Sequence, residues 1–310
     1  MRPTFALLPF LLAGAINALG SVDQGLLALV PADTQMVASI DVASAGSSEF
    51  GQHMLKHMNS NDKGMQDFIQ QTGFDPRRDL QTVVFASSNP NGPNKPPKTV
   101  VLARGTFDLS RITASLRTMG ARVDQFQGAD IFIMKQDRHA IAFPETGVAV
   151  FGEDEDSVRG VIDRLSNPSA LDPKLVQRIQ TVGSANDIWF ASPSAPRLLT
   201  GAGGPQFQGS EALKSILEAS GGIQFGSLVK ISADAVTRSP QDADSLASVI
   251  RFGVNMLQSQ GQNDPHAAAL ASSLSGMDIQ VNGSNVHVSL SVTEDSLEQL
   301  AQTAPAHAAR

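Results

Sequence analysis

His53 and His57 are the first candidates for chemistry, because they lie four residues apart in a segment whose apolar pattern predicts a helix. This spacing would place both imidazoles on one helix face, as in two-histidine metal sites, with Glu49 one turn earlier. A zinc or copper site would need at least one further ligand from elsewhere. No His-Glu-x-x-His motif surrounds the pair, so a solvated polar face is the simpler interpretation.

Two segments, residues 60–63 and 227–230, match the Ser-x-x-Lys pattern of penicillin-recognising enzymes. The companion Ser-Asp-Asn and Lys-Thr-Gly elements are missing from the sequence, as is the Gly-x-Ser-x-Gly elbow of α/β-hydrolases. The glycine-rich segment 201–209 lacks the Gly-Lys-Ser/Thr of a phosphate-binding loop. These patterns therefore do not favour nucleophilic catalysis or nucleotide binding.

Basic side chains supply the candidate binding residues. Arg77 and Arg78 lie in a corner between two predicted elements. Gly73 comes before it and is a residue type suited to the left-handed position after a helix. Asp75 followed by a proline is typical of the start of a helix. The two arginines could bind an anionic partner, but ion pairs with Asp75 and Asp79 would explain their presence equally well.

A second candidate is the loop of residues 88–98, which holds four prolines together with Lys95 and Lys98. The prolines exclude a paired ladder, so the segment should project between two strands as a semi-stiff loop. Proline-rich segments can serve as recognition elements, although an ordinary exposed hairpin tip explains the same composition.

The elements that position these residues predict an α+β fold. In the N-terminal half the predicted strands are residues 36–42, 82–86, 99–103, 130–135, 139–143 and 148–151. In the C-terminal half we predict strands at 188–191 and 223–233, a helix at 213–219, a helix capped by Ser239, and a hairpin across Asn282 and Gly283.

The two halves share an order of elements, with a polar break at residues 166–170 between them. We therefore expect two similar tandem units of antiparallel sheet, each backed by helices on one face, as an internal duplication would produce. The predicted organisation is a signal peptide at 1–20, units at 21–166 and 171–302, and a disordered tail at 303–310.

Composition narrows the function classes. The chain has no cysteine, which excludes disulfides, a thiol nucleophile, cysteine-ligated metal and a lipoprotein acyl anchor. An apolar segment of about a dozen residues after Arg2 predicts a cleaved secretion signal, and this length is too short for a span of about 20 residues. Cleavage would change the net charge from −7 to −8, which disfavours nucleic acid and anionic membranes as partners.

The Gly-Phe-Asp-Pro-Arg-Arg-Asp-Leu segment at residues 73–80, with the Leu-Val-Pro-Ala-Asp segment at 29–33, resembles a group of uncharacterised secreted bacterial proteins. The resemblance covers residues 29 to about 165. It implies an envelope location and an α+β fold, and it brings no activity.

We therefore expect a non-catalytic secreted or periplasmic envelope protein, without a cofactor, that binds another protein or a surface component through exposed loops. Two alternatives stay open. One is a metal-dependent hydrolase-like enzyme that uses His53 and His57, and the other is a carrier of an apolar ligand held between sheet and helices.

Overall fold

The computed structural model describes residues 22–49, 51–52, 63–88, 97–135, 137–194, 211–261, 265–293 and 295–297. Within these ranges the chain forms one antiparallel sheet of 12 strands. The strands are β1 Thr34–Asp41, β2 Leu80–Ser88, β3 Lys98–Gly105, β4 Arg122–Phe126, β5 Ala129–Ile133, β6 Ala140–Glu145, β7 Val148–Gly152, β8 Ile188–Ser192, β9 Ile216–Gln224, β10 Val229–Thr237, β11 Asp278–Asn282 and β12 Asn285–Val292.

Helices precede, separate and cover these strands. They are α1 Gln24–Ala28, α2 Val42–Ser47, α3 Lys63–Thr72, α4 Pro76–Asp79, α5 Leu109–Thr118, α6 Glu155–Ser166, α7 Pro173–Gly183, α8 Glu211–Lys214, α9 Pro240–Gln260 and α10 Pro265–Ser273. A 3-10 turn, Leu274–Gly276, follows α10.

Local sequence rules set several of these boundaries. The Asp75 carboxylate accepts from the Arg77 amide at 3.1 Å and begins α4, and Ser239 accepts from the Asp242 amide at 3.1 Å and begins α9. Gly73 ends α3 with φ of 73°, the left-handed conformation that glycine adopts without strain. These caps and the β11–β12 hairpin are confirmed.

The strand order is β11-β12-β10-β9-β8-β1-β2-β3-β7-β6-β5-β4. The pairing of β1 with β8 joins the two halves of the chain at the centre, through Val37 with Ala191 and Ile40 with Ile188. We call the end of the sheet with Ser88 and Lys98 the loop end, and the opposite end, where β2 begins, the corner end.

The first face of the sheet, defined by the side chains of Val37 and Leu102, carries the main core. Helices α1, α6 and α7 cover it, so one cluster contains side chains from both halves of the chain. The cluster includes Leu26, Val84, Val100, Val148, Val150, Val158, Val161, Ile162, Leu175, Ile179 and Trp189.

The second, opposite face carries two smaller clusters. In the N-terminal half Phe132 packs with Ile112 and Leu116 of α5. In the C-terminal half Leu246 of α9 packs with Val286 of β12. Helices therefore lie on both faces of one sheet.

The first face of the C-terminal half differs from the rest. Beyond α7, strand register places Lys230, Ser232 and Asp234 of β10 beside His287 and Ser289 of β12 on this face. These side chains are polar, and no described helix packs over them. The alternation of apolar and polar residues along β12 thus leaves one face of this half open to solvent.

Three expectations from the sequence need correction. The sheets of the two halves are one continuous sheet, because β1 and β8 pair with each other. Its helices lie on both faces rather than one, because both faces carry apolar side chains that the helices cover. The predicted helix at 213–219 is wrong: α8 ends at Lys214, and β9 continues from Ile216 because it pairs with β8 and β10. A turn at 225–228 separates β9 from β10, so the long strand predicted at 223–233 is two strands.

Because the main core draws on both halves, the halves should not fold independently. We expect fragments 21–166 and 167–310, produced together, to form a one-to-one complex through β1 and β8. Each fragment alone would expose apolar side chains such as Trp189 and should aggregate or unfold. Size-exclusion chromatography with light scattering and thermal unfolding would check this. Two stable monomers that do not associate would contradict it.

Candidate binding groove

A groove of about 470 Å³ lies on the open part of the first face. Helix α7 forms one wall, and β9, β10 and β12 form the floor. The residues that line it are mostly polar: Lys174, Gln177, Arg178, Thr181, Glu218, Ser220, Asp234 and Asn285, with Ala235 and Val236. A concave surface with many hydrogen-bonding groups and few apolar ones suits a polar ligand.

Arg178 connects the wall of the groove to its floor. Its guanidinium donates from Nε to Glu218 Oε2 at 2.8 Å and from Nη1 to Ser220 Oγ at 3.3 Å. Both side chains of the ion pair are 20% exposed, while the Lys174 ammonium, 3.7 Å from Glu218, is largely in solvent. A charge-assisted, half-buried pair of this kind holds α7 at a fixed distance from β9.

A second pair begins on the floor with Asp234, whose Oδ1 is 2.8 Å from Nδ1 of His287 on the neighbouring strand. Strand register places Ser220, Asp234 and His287 in one row across β9, β10 and β12. The serine and histidine are thus two strands apart, or roughly 10 Å, because neighbouring strands are about 4.8 Å apart. Since Asp234 lies between them, Ser220 cannot act as a nucleophile with His287 as its adjacent base.

The groove opens toward the loop end of the sheet. Ala219 of β9 pairs with Ser192 of β8, and the neighbouring Ala191 pairs with Val37 near the start of β1. The start of β1 in turn pairs with Ser88. The described ends of the candidate loop, Ser88 and Lys98, therefore lie at the same end of the sheet as the groove.

Lys98 anchors the base of that loop. Its ammonium donates to Asp154 Oδ2 at 2.7 Å, next to the start of α6. Partial burial raises the pKa of Asp154, but hydrogen bonds from Lys98 and Ser157 outweigh burial and lower this pKa to about 2. Lys98 is thus engaged within the protein, while Lys95 lies outside the described residues.

The corner residues Arg77 and Arg78 lie at the opposite end of the sheet. Arg77 donates to Asp75 at 2.7 Å and Arg78 to Asp79 at 2.7 Å, the local pairing that the sequence allowed. Hydrogen bonds from these arginines lower the pKa of both carboxyl groups. An anion-binding role for the corner stays a prediction, and it would use a surface separate from the groove.

His53 and His57 also lie outside the described residues. Within the described ranges, no three histidine, aspartate or glutamate side chains come together as metal ligands would. The metal site stays a prediction.

Sequence reasoning missed the groove residues, among them Arg178, Glu218 and Asp234, and it missed His287, the partner of Asp234. Alternation along β12 could have placed His287 and Ser289 on a polar face. Asp234 could not be assigned as a neighbour of His287, because their contact depends on the pairing of strands 53 residues apart in sequence.

No protein-family model and no curated protein sequence matches this chain. Three solved structures are similar to it, crystal forms III, I and IV of TP0453. Form III has a TM-score of 0.54 at 10% identity and covers 92% of this chain and 99% of its own. Form IV has a TM-score of 0.52 at 11% identity, with 89% and 95% covered. At this identity the similarity shows a shared fold.

None of the helices in the described ranges combines the length and apolar character that crossing a bilayer requires.

The Lys98–Asp154 pair gives a pH-dependent prediction. Lys98→Met should raise the pKa of Asp154 and lower the free energy of unfolding at neutral pH by about 0.5–1 kcal/mol, because the pair is partly exposed. A carboxylate with a depressed pKa stabilises the fold above its unfolded value of 3.8. The difference between variant and parent should therefore shrink as the pH falls from about 4 through 2.

Urea unfolding across this pH range and NMR titration of Asp154 would measure both quantities. Lys230→Met is the control, since Lys230 has no ion-pair partner among the described residues and its loss should not move the pKa of Asp154. A stability difference that does not vary with pH would contradict the pairing.

Proposed function

We propose that this chain is a non-catalytic protein of the cell envelope, exported by the signal at residues 1–20, that binds another protein or a surface component. The observation that carries the proposal is the open polar groove beside α7. The N-terminal half covers its first face with helices, whereas the C-terminal half leaves the same face open and lined with hydrogen-bonding side chains.

We infer binding rather than catalysis, because the ionisable side chains in and beside the groove already contact one another. Arg178 pairs with Glu218, and His287 pairs with Asp234, so each ionisable side chain already has a partner. A peptide or carbohydrate could use the amides and hydroxyls of Gln177, Thr181 and Asn285, together with the second carboxylate oxygen of Asp234 and the other ring nitrogen of His287, without displacing those pairs. The loop at 88–98 would add contacts, since its described ends, Ser88 and Lys98, lie at the same end of the sheet.

We also propose that the chain consists of two tandem units with a common origin. Counted from the outer strands toward the shared centre of the sheet, the strand order in one half is β6-β7-β3-β2-β1. The corresponding order in the other half is β11-β12-β10-β9-β8. The β4–β5 hairpin is then an addition to the first unit. An experimental structure in which a two-fold rotation fails to superpose the two sets of strands would contradict this proposal.

The binding proposal is tested by quantitative pull-down from an envelope extract, with the chain from Ser21 as bait. Asp234→Ala with His287→Ala should reduce capture of any specific partner by about tenfold or more, because Asp234 lines the groove and His287 is its partly exposed partner on the neighbouring strand. Replacing residues 89–97 by a short glycine turn should also reduce capture.

The chain contains a closely matched control for the histidine–aspartate variant. His139 and Asp137 form another exposed pair, 2.9 Å apart, in the connection between β5 and β6. Asp137→Ala with His139→Ala should leave capture unchanged. If Arg77→Ala with Arg78→Ala abolishes capture of the partner while the groove and loop variants retain it, the binding site is at the corner and the proposal is wrong.

The enzyme alternative has its own test. His53→Ala with His57→Ala should leave capture unchanged. A rise in the melting temperature of the parent with zinc or copper that these substitutions abolish would favour the metal-dependent alternative.

A further inference from the structure

Arg164 lies in the last part of α6, and only 8% of its surface is exposed. Its guanidinium donates from Nε to the Ala28 carbonyl at 3.2 Å and from Nη2 to the Ser169 carbonyl at 2.6 Å, and Nη1 donates to Ser169 Oγ. All of these acceptors are neutral. They account for three of the five N–H donors that an arginine carries.

No carboxylate in the described part of the chain pairs with Arg164. Other half-buried arginines of this protein do have such a partner: Arg104 pairs with Asp23 and Arg178 with Glu218. Burial lowers the pKa of Arg164, which shows that its surroundings disfavour the positive charge. Buried charges in proteins are normally paired, so an anion bound beside the Arg164 guanidinium would stabilise it.

A cleft of about 290 Å³ lies directly beside this guanidinium. It runs between α1, the connection after α6, and α7, at the lower end of the size range for small-molecule sites. Its walls are mainly apolar and include Leu27, Ala28, Pro168, Ala170, Leu171, Val176 and Ile179. A cation at the edge of an apolar cleft is complementary to a molecule with an anionic head and an apolar body.

We propose that the Arg164 cleft binds a small apolar molecule with a carboxylate group, such as a medium-chain fatty acid. The carboxylate accepts from the N–H groups of Arg164 that have no acceptor among the described residues, and the alkyl chain of the ligand lies against Leu27, Val176 and Ile179. Pairing supplies the counter-charge that the buried guanidinium lacks.

This site is separate from the polar groove, although both use α7. Val176 and Ile179 face the cleft, whereas Gln177 and Arg178 face the groove. The proposal does not depend on the function proposed for the groove, and variants on one flank of α7 should not affect binding on the other.

Isothermal titration calorimetry of the full chain from Ser21 with decanoate tests the proposal, with decanol as the uncharged analogue. Decanoate should bind at least about tenfold more tightly than decanol. Arg164→Gln should reduce the affinity for decanoate to that for decanol, whereas Arg251→Gln, on the distant α9, should have no effect.

A second variant keeps the test decisive if Arg164→Gln fails to fold. Ala28→Trp fills the cleft from an exposed position and leaves the guanidinium in place, so it should abolish decanoate binding with little change in melting temperature. If decanoate does not bind the parent chain, or if both variants bind it as the parent does, Arg164 merely fastens α1 to the following connection and the proposal is wrong.

Discussion

The structure depends on the pairing of β1 with β8. Four residue pairs, from Val37–Ala191 to Ile40–Ile188, join the two halves of the chain, and Ser192 Oγ donates to the Gln35 carbonyl at 2.8 Å beside them. These hydrogen bonds remove what would be the exposed edge of each half. They also bring Trp189 under α7 and into the core of the N-terminal half. A single sheet, rather than two, follows from this one contact.

Helix α7 packs across the junction where β1 and β8 join the two halves of the chain. Its buried side, with Leu175 and Ile179, belongs to the main core. One flank faces the polar groove, where Arg178 already has a carboxylate partner, and the other faces the apolar cleft, where Arg164 has no such partner in the described part of the chain. The two surfaces differ in the chemistry that they can recognise. The acidic, cysteine-free composition is compatible with both, since neither site needs a metal or a thiol.

Local signals were enough to predict much of the secondary structure. Asp75 and Ser239 begin helices, and Gly73 ends one, because capping and left-handed positions depend on a few adjacent residues. The segment around Ile216 was misassigned, because its apolar spacing fits a helix as well as a strand, and long-range pairing with β8 decided between them. The groove could not be predicted for the same reason, because it depends on contacts between residues far apart in the sequence. The residues that line it come from α7, β9, β10 and β12, and nothing in the sequence shows that these elements meet.

The most direct test of the central claim, that the open face of the C-terminal half is the binding surface, is amide hydrogen exchange on the intact chain with and without isolated envelope fragments. The account predicts slower exchange in α7, at the start of β9 and at the end of β10, with no change in the corner around α4. Slower exchange confined to α4 and the start of β2, with the groove strands unaffected, would contradict it.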